Sequence, residues 1–376
     1  MAFDFSTASR VVFGAGLFVQ LEGFQRALGK RPLLVTGGGG ERLGEVAQRL
    51  GRKGVWVRVV SEPDFEGVRR GVSVARDAGC DCVVAIGGGS VIDAGKAMAM
   101  LLSNGGDPMD YAEIIGKGQL VRVASVPWIA VPTTAGAGAE VTRNAVLRSP
   151  EHQLKVSLRS ALMLPSIVVV DPGLTLGLPP SVTAATGLDA LSQVMEAFVS
   201  NRANEMTDAL AREGLVRIGR SLRRAFEEGG DLGARTDLAF GALMGGMALT
   251  NAGLGAVHGF AAPIGGAFDA AHGVVCAALL APVMEMNVRR GARETRGRYE
   301  EVARRVTGRA GASVEDGIAW VRELTGVLGI PRLGSQGVGE TDVARLVGQA
   351  AKASSMRGNP VELSPEDLEW ILREAL

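Results

Sequence analysis

Two histidines in one nearly uncharged segment are the first candidates for chemistry. The chain has 376 residues but only three histidines, and His258 and His272 bracket the stretch HGFAAPIGGAFDAAHG. Imidazole nitrogens are common ligands of Zn²⁺ and Fe²⁺. A single histidine in apolar surroundings is more often a hydrogen-bonded core residue. The pair therefore needs a further ligand nearby before it indicates a metal site.

A carboxylate in the same half of the chain supplies that ligand. Asp189 lies in the apolar helical stretch TGLDALSQVMEAF, and burying an ionised carboxylate without a partner is costly. Gln193 comes one helical turn later and shares its face. Together, Asp189, His258 and His272 favour a divalent metal site, with the amide of Gln193 beside it.

Glycine-rich loops follow two predicted strands. They lie in RPLLVTGGGG (31–40) and IGGGSVIDAGK (86–96). Position 43 is Leu, which excludes a GxGxxG fingerprint, and position 97 is Ala, which excludes a P-loop. Bare amides at a helix N-terminus attract phosphate, although glycines serve tight turns equally well. Thr133 and Thr134, after the strand WIAVP, add hydroxyl donors, so a dinucleotide is the better interpretation.

These residues must be positioned by two different kinds of domain. From about residue 31 to 171, short apolar runs alternate with amphipathic helical stretches, which predicts a parallel sheet with ligands at the carboxyl ends of its strands. After the two prolines at 179–180, every periodic segment is helical. We expect an α/β dinucleotide-binding domain at 1–180 and an all-α metal- and substrate-binding domain at 181–376.

Composition excludes several classes of function. Lys+Arg and Asp+Glu are both 40, which argues against a nucleic-acid-binding surface. The absence of a signal peptide and of a long apolar run predicts a cytoplasmic protein without membrane partners. Cys80, Cys82 and Cys276 are expected to be small buried hydrophobic residues in a reducing compartment.

The motifs together resemble one enzyme family. GLDAL, VHGFAAPIGG, AHG, GGGSVIDAGK and PTTAGAGAEVT are similar to the iron-containing (group III) alcohol dehydrogenases, which share a dehydroquinate synthase-like fold, and the resemblance runs from 3–16 through 359–372. It implies a metal in the cleft between the two domains and an NAD(P)(H)-dependent oxidoreductase. Such an enzyme interconverts a small alcohol or hydroxy acid and its aldehyde or ketone, and the metal polarises the oxygen.

The resemblance also assigns site residues. Asp189, His258 and His272 fall on metal-ligand positions and would act in catalysis through the metal, and Gln193 falls on a fourth such position. The cofactor-binding positions implied by the two loops and by the segments after them are Gly37, Gly38, Gly87, Gly88, Gly89, Ser90, Asp93, Thr133, Thr134 and Lys155.

Two departures from the family pattern bear on the metal and on proton transfer. The family typically has histidine where this chain has Gln193, and a second histidine where it has Ala262. An amide oxygen is a weaker ligand than imidazole, so Fe²⁺ should bind less tightly here than in other family members. Zn²⁺ suits an Asp/His/His set at least as well, as in the related glycerol dehydrogenases, so the expected metal is Fe²⁺ or Zn²⁺. Without a histidine at 262, the proton is expected to travel through water or the ribose hydroxyls.

The cofactor preference depends on the end of the first long strand. NAD-preferring members often carry Asp where this chain has Gly37, and Arg42 nearby either pairs with a 2′-phosphate or is simply exposed. The sequence leans weakly toward NADP over NAD.

Other functions on the same scaffold are a metal-free nucleotide-binding homologue without turnover and a dehydroquinate synthase-like or glycerol dehydrogenase-like reaction. The segments 181–200 and 251–273 contain no Lys or Arg, which argues against a phosphorylated substrate. The resemblance also implies a homodimer in which RVVFGAG pairs across subunits.

Overall fold

The computed structural model describes residues 2–37, 46, 50, 52, 54–152, 154–268 and 270–376. The chain folds into two compact units. The first, here the α/β unit, comprises Ser6–Thr134 and Ala139–Thr175. The second, the helical unit, comprises Leu176–Leu376 together with the short segments Met1–Phe5 and Ala135–Gly138.

A six-stranded, entirely parallel sheet forms the centre of the α/β unit, as the alternating apolar runs predict. Its strand order is β1-β8-β5-β4-β2-β3. The strands are β1 (Val11–Phe13), β2 (Pro32–Thr36), β3 (Val55–Arg58), β4 (Cys82–Gly87), β5 (Trp128–Pro132) and β8 (Ile167–Val170).

A small antiparallel hairpin of β6 (Asn144–Ser149) and β7 (Leu154–Arg159) accompanies this sheet. The apolar runs and turn signals described above do not predict this hairpin. Strand β1, at the edge of the large sheet, pairs with β8 of the same chain.

Helices cover the sheet and bury its central strands on both faces. They are α1 (Leu21–Leu28), α2 (Phe65–Asp77), α3 (Gly89–Asn104) and the single turn α4 (Pro108–Tyr111). The stretch 41–50 that follows the first glycine-rich loop lies, apart from positions 46 and 50, outside the described residues. Helix α3 comes so close to β4 that a Cβ at Gly95 would lie 2.6 Å from the Cβ of Ala85. This close packing fixes the start of α3 at the carboxyl end of β4.

The helical unit contains no strand among its described residues. Its helices are α5 (Pro180–Val199), α6 (Glu205–Glu227), α7 (Leu232–Ala252), α8 (Ala256–Ala267), α9 (His272–Arg290), α10 (Arg293–Thr307), α11 (Val314–Val327), α12 (Val343–Ala350) and α13 (Pro365–Ala375). Pro180 is the first residue of α5, where the missing N–H costs nothing and the fixed φ favours a helix. Most of α5 is buried, so polar side chains on it must find partners inside the unit.

Among the described helices, none is by itself long and apolar enough to cross a membrane. Helices α7 and α8 meet the length and composition criteria only as a pair, and they are bent by 99° relative to each other.

Candidate metal centre and nucleotide loop

Helix α5 carries three polar side chains on one buried stripe. Asp189, Gln193 and Glu196 follow each other at helical spacing and are 4%, 3% and 4% exposed. The helix is stabilised by the Leu, Ala, Val and Met residues between and beside these three, which are themselves buried. Two buried carboxylates on one helix need cationic or hydrogen-bonding partners, and helices α8 and α9 supply them.

His258, on the first turn of α8, is held by Glu196. Its Nδ1 lies 2.6 Å from Glu196 Oε2, and the other carboxylate oxygen accepts a 2.7 Å hydrogen bond from the backbone N–H of Val257. This leaves Nε2 of His258 directed toward Asp189, with Oδ1 at 3.4 Å. A carboxylate that holds one ring nitrogen while the other faces a donor cluster is typical of metal-ligating histidines.

His272 begins α9 and brings a fourth donor with it. Its Nε2 lies 3.6 Å from Asp189 Oδ1. Cys276, one turn later on the same face, places its Sγ 3.7 Å from Nε2 of His272 and 3.8 Å from Nε2 of His258. The donor atoms of Asp189, His258, His272 and Cys276 all lie within 4.8 Å of one another.

Cys276 is the residue that sequence reasoning missed. It is buried, as expected, but its sulfur faces two imidazoles and a carboxylate rather than apolar side chains. The available signal was its position four residues after His272, which puts both side chains on one helix face.

Two buried oxygens on α5 have no hydrogen-bond partner among the described residues: Asp189 Oδ1 and Gln193 Oε1. An unpartnered buried acceptor costs about 1–3 kcal/mol. A divalent cation accepts oxygen, nitrogen and sulfur donors alike, so the donor set of this cluster fits one.

The protonation equilibria also indicate that the cluster favours positive charge at its centre. Burial opposes ionisation of Cys276 and Asp189, yet the neighbouring imidazoles hold the pKa of both groups below their ordinary values. Burial opposes a charged His258, yet Cys276, Asp189 and Glu196 raise its pKa well above the ordinary value. The pKa of His272 is also raised, chiefly by the charge of Cys276. A bound cation would supply the positive charge that protons otherwise provide.

The α/β unit places the glycine loop at the start of α3. Gly88 is the N-cap residue, no described side chain caps this helix, and its first turn contains no acidic residue. The N–H of Thr133 donates to the carbonyl of Gly87 at 2.9 Å, and a Cβ at Gly88 would lie 3.4 Å from Thr134 Oγ1. Gly87, Gly88, Gly89, Ser90, Thr133 and Thr134 are thus brought together. Free amides and hydroxyls at a helix N-terminus suit a pyrophosphate.

The other predicted cofactor residues are placed differently. Asp93 accepts a 3.1 Å hydrogen bond from the N–H of Val146 and lies 3.6 Å from Lys96 Nζ, and burial raises its pKa to about 6. Lys155, on β7, forms an ion pair with Glu62 at 3.1 Å. Gly37 directly follows β2. The predicted Gly38 and Arg42 lie outside the described residues.

Two family models match the chain over most of its length. Residues 8–172 match "Iron-containing alcohol dehydrogenase", and residues 183–376 match "Fe-containing alcohol dehydrogenase family, C-terminal". The chain belongs to the iron-containing alcohol dehydrogenase family. It is therefore a metal-dependent alcohol oxidoreductase with the two-part architecture that the motifs predict.

Individual relatives are similar over nearly their whole length. The 1,3-propanediol dehydrogenase of Klebsiella pneumoniae is 36% identical over 358 residues, which covers 92% of each chain. A crystal structure of a 1,3-propanediol oxidoreductase superposes with a TM-score of 0.92 at 34% identity, and all of both chains is covered. The sulfoacetaldehyde reductase of Bifidobacterium kashiwanohense, solved in complex with NAD⁺, has a TM-score of 0.89 at 28% identity and covers 100% of this chain and 99% of its own.

Proposed function

We propose that this member of the iron-containing alcohol dehydrogenase family interconverts a small, unphosphorylated alcohol and its aldehyde or ketone with NADP(H) or NAD(H). Asp189, His258 and His272 hold the divalent metal, with Gln193 Oε1 as a weak further donor. The observation that carries the proposal is that the donor atoms of Asp189, His258 and His272 lie within 4.8 Å of one another, and that Asp189 Oδ1 among them is buried with no hydrogen-bond partner among the described residues.

The bound metal supplies a Lewis acid for the substrate oxygen and the nicotinamide supplies or accepts the hydride. The chain's own contribution is positioning. Glu196 fixes the orientation of His258, and the surrounding helices keep water from its ring, which is 7% exposed. The side chain of His272 is 35% exposed, so a small substrate reaches the donor cluster from the His272 side. Ala262 has no ionisable side chain, so position 262 would not relay the substrate proton, which would pass to solvent.

The nucleotide binds the α/β unit with its pyrophosphate at the start of α3. Gly88 and Thr134 provide the contact surface, and Gly37 leaves the end of β2 without the carboxylate that would repel a 2′-phosphate. A weak preference for NADP(H) follows, although a relative is solved with NAD⁺. Asp93 and Lys155 contribute polar contacts to the nucleotide at the edge of this site. To do so, Asp93 leaves Val146 and Lys96, and Lys155 leaves Glu62.

The substrate and assembly are the remaining parts of the proposal. The stretches 181–200 and 251–273 lack Lys and Arg, so they offer a substrate phosphate no lysine or arginine side chain to pair with. Relatives named for 1,3-propanediol support a short alcohol or diol. Strand β1 is an edge strand of the sheet, and such an edge can add a strand from a second copy, which supports a homodimer.

The test combines metal content with turnover. The purified protein is analysed by mass spectrometry for bound metals, and oxidation of NADPH and NADH is followed with a panel of short aldehydes before and after EDTA. We expect one Zn or Fe per chain, EDTA-sensitive activity, and loss of both in Asp189→Ala but not in the exposed-site control Asp77→Ala. A protein that binds NADPH yet holds no metal and gains no activity with any added metal would instead be a nucleotide-binding homologue without turnover.

A further inference from the structure

We propose that Cys276 is a thiolate ligand of the metal and takes the place of the imidazole that position 193 does not provide. This inference rests on the proposed function, because it assumes a metal held by Asp189, His258 and His272. It adds a ligand outside the set that the resemblance implies, and it specifies which metal the site selects.

The distances around Cys276 are close to those of a tetrahedral site. With metal–ligand bonds of about 2.0 Å to oxygen or nitrogen and about 2.3 Å to sulfur, tetrahedral angles give edges of about 3.3 Å between oxygen and nitrogen and about 3.5 Å between nitrogen and sulfur. Asp189 Oδ1 lies 3.4 and 3.6 Å from Nε2 of His258 and His272. The sulfur of Cys276 lies 3.8 and 3.7 Å from the same two nitrogens.

The elements that carry these donors hold them in place. His272 and Cys276 are separated by one turn of α9, so the helix itself sets their spacing. Glu196 fixes the ring of His258, and the Cys276 side chain is fully buried, so neither group needs to move far to bind. Asp189 Oδ1 is also buried and has no hydrogen-bond partner in the described chain. This unpartnered oxygen is a second, independent observation that points to a bound cation.

The chemistry of the donors favours sulfur over the amide. Gln193 offers a neutral, hard oxygen, whereas a cysteine thiolate is anionic and soft. On binding, the thiol proton is released to solvent, and the two anionic ligands Asp189 and Cys276 balance the charge of a divalent ion. Thiolate with two imidazoles and a carboxylate suits Zn²⁺ better than Fe²⁺. A substrate oxygen would then be a fifth ligand.

The experiment uses Co²⁺ as a spectroscopic probe in the full-length protein. Metal is removed with a chelator, Co²⁺ is added, and the near-ultraviolet spectrum is recorded for a thiolate-to-cobalt charge-transfer band. Cys276→Ser is compared with Cys82→Ser, a matched control because Cys82 is also buried and hydrogen-bonded, to the side chain of Gln25. Zn²⁺ affinity is measured by chelator competition, and NADPH binding reports that each variant is folded.

We expect the band in the wild-type protein and in Cys82→Ser, and its loss in Cys276→Ser. Zn²⁺ affinity should fall at least about 100-fold in Cys276→Ser, because removing groups that merely orient ligands already costs 10–100-fold. Adding Gln193→His to Cys276→Ser should restore affinity without restoring the band. When Zn²⁺ and Fe²⁺ are offered together without oxygen, the wild-type protein should take up Zn²⁺. The Cys276→Ser/Gln193→His double variant should take up more Fe²⁺ than the wild-type protein does.

The outcomes separate this inference from the proposed function. Stoichiometric Co²⁺ with no charge-transfer band, or a band that survives in Cys276→Ser, would overturn the thiolate ligand and leave the Asp189/His258/His272 site intact. Failure of the folded wild-type protein to bind either Co²⁺ or Zn²⁺ would overturn both.

Discussion

Glu196 and His258 form the shortest polar contact in the candidate metal centre, with 2.6 Å between Oε2 and Nδ1. The second carboxylate oxygen is occupied by the N–H of Val257 on the same helix as His258. Glu196 therefore fixes both the ring and the first turn of α8. We infer that Glu196 acts on the proposed metal through His258, because both of its oxygens contact the start of α8.

Glu196→Gln should weaken metal binding without abolishing the fold. An amide has one oxygen where the carboxylate uses two, so one of the two N–H donors on α8 loses its acceptor. We expect Zn²⁺ affinity to fall by roughly 10–100-fold. Chelator competition measures this, with the exposed Glu228→Gln as control. Unchanged affinity in Glu196→Gln would show that His258 is oriented by its helix alone.

Gly37→Asp should shift cofactor preference from NADPH toward NADH. A Cβ at this position would lie 3.5 Å from Val91 Cγ2, which is an ordinary contact, so a side chain can start here without displacing Val91. The new carboxylate would accept hydrogen bonds from ribose hydroxyls and repel a 2′-phosphate.

The measurement is the ratio of kcat/KM for NADPH and NADH, and we expect a change of about tenfold or more, or about 1.4 kcal/mol. Gly23→Asp, on α1 where a Cβ meets nothing within 4 Å, controls for the added charge. An unaltered ratio would place the adenosine ribose away from residue 37.

Gly87 and Gly88 are adjacent, but substitution by alanine should affect different properties. A Cβ at Gly87 would lie 2.5 Å from Val91 Cγ2, so Gly87→Ala forces repacking and should cost about 1–3 kcal/mol of stability. A Cβ at Gly88 has only an ordinary contact with Thr134, so Gly88→Ala should leave stability nearly unchanged.

Gly88→Ala should instead raise the Kd for NADPH, by about tenfold, because its methyl group occupies the space needed by a phosphate at the helix N-terminus. Thermal unfolding and nucleotide titration, run on both variants, separate the two effects. Equal nucleotide affinity in wild type and Gly88→Ala would mean that the pyrophosphate binds elsewhere.

Asp237 connects α6 and α7 and should make stability depend on pH. Burial works to raise the pKa of Asp237, but hydrogen bonds from Arg220 and Ser221 and the charge of Arg217 lower it overall. A lowered folded-state pKa means that this stabilisation is complete above the unfolded pKa of about 3.9 and is lost as the pH falls toward the folded value.

Asp237→Asn should therefore lose about 1.5–3 kcal/mol at pH 7, and the difference from wild type should shrink below about pH 4. Urea unfolding midpoints across this pH range provide the measurement. Glu340→Gln, which removes an exposed ion pair with Arg373, should change the midpoint little at any pH. A gap between wild type and Asp237→Asn that stayed constant with pH would show that charge is not the cause.

Much of the fold could be predicted because its signals are local. The apolar runs of β2, β4, β5 and β8 and the helical period after Pro180 each depend on neighbouring residues only. The β6–β7 hairpin was missed because its stability depends on pairing between strands rather than on a strong pattern in either one. Strand β1, only three residues long, is likewise defined by β8 rather than by its own sequence.

By itself, the sequence determined the family, the division into an α/β and a helical half, and the candidate ligands Asp189, His258 and His272, because residue type and spacing suffice for each. Tertiary structure alone decided which side chains meet. Cys276 joins the donor cluster and Glu196 holds His258 only because α5, α8 and α9 pack together. Local sequence patterns do not predict contacts between helices that are distant in sequence. The same packing leaves Asp189 Oδ1 buried without a hydrogen-bond partner in the described chain, and this unpartnered oxygen is the main physical support for the proposed metal site.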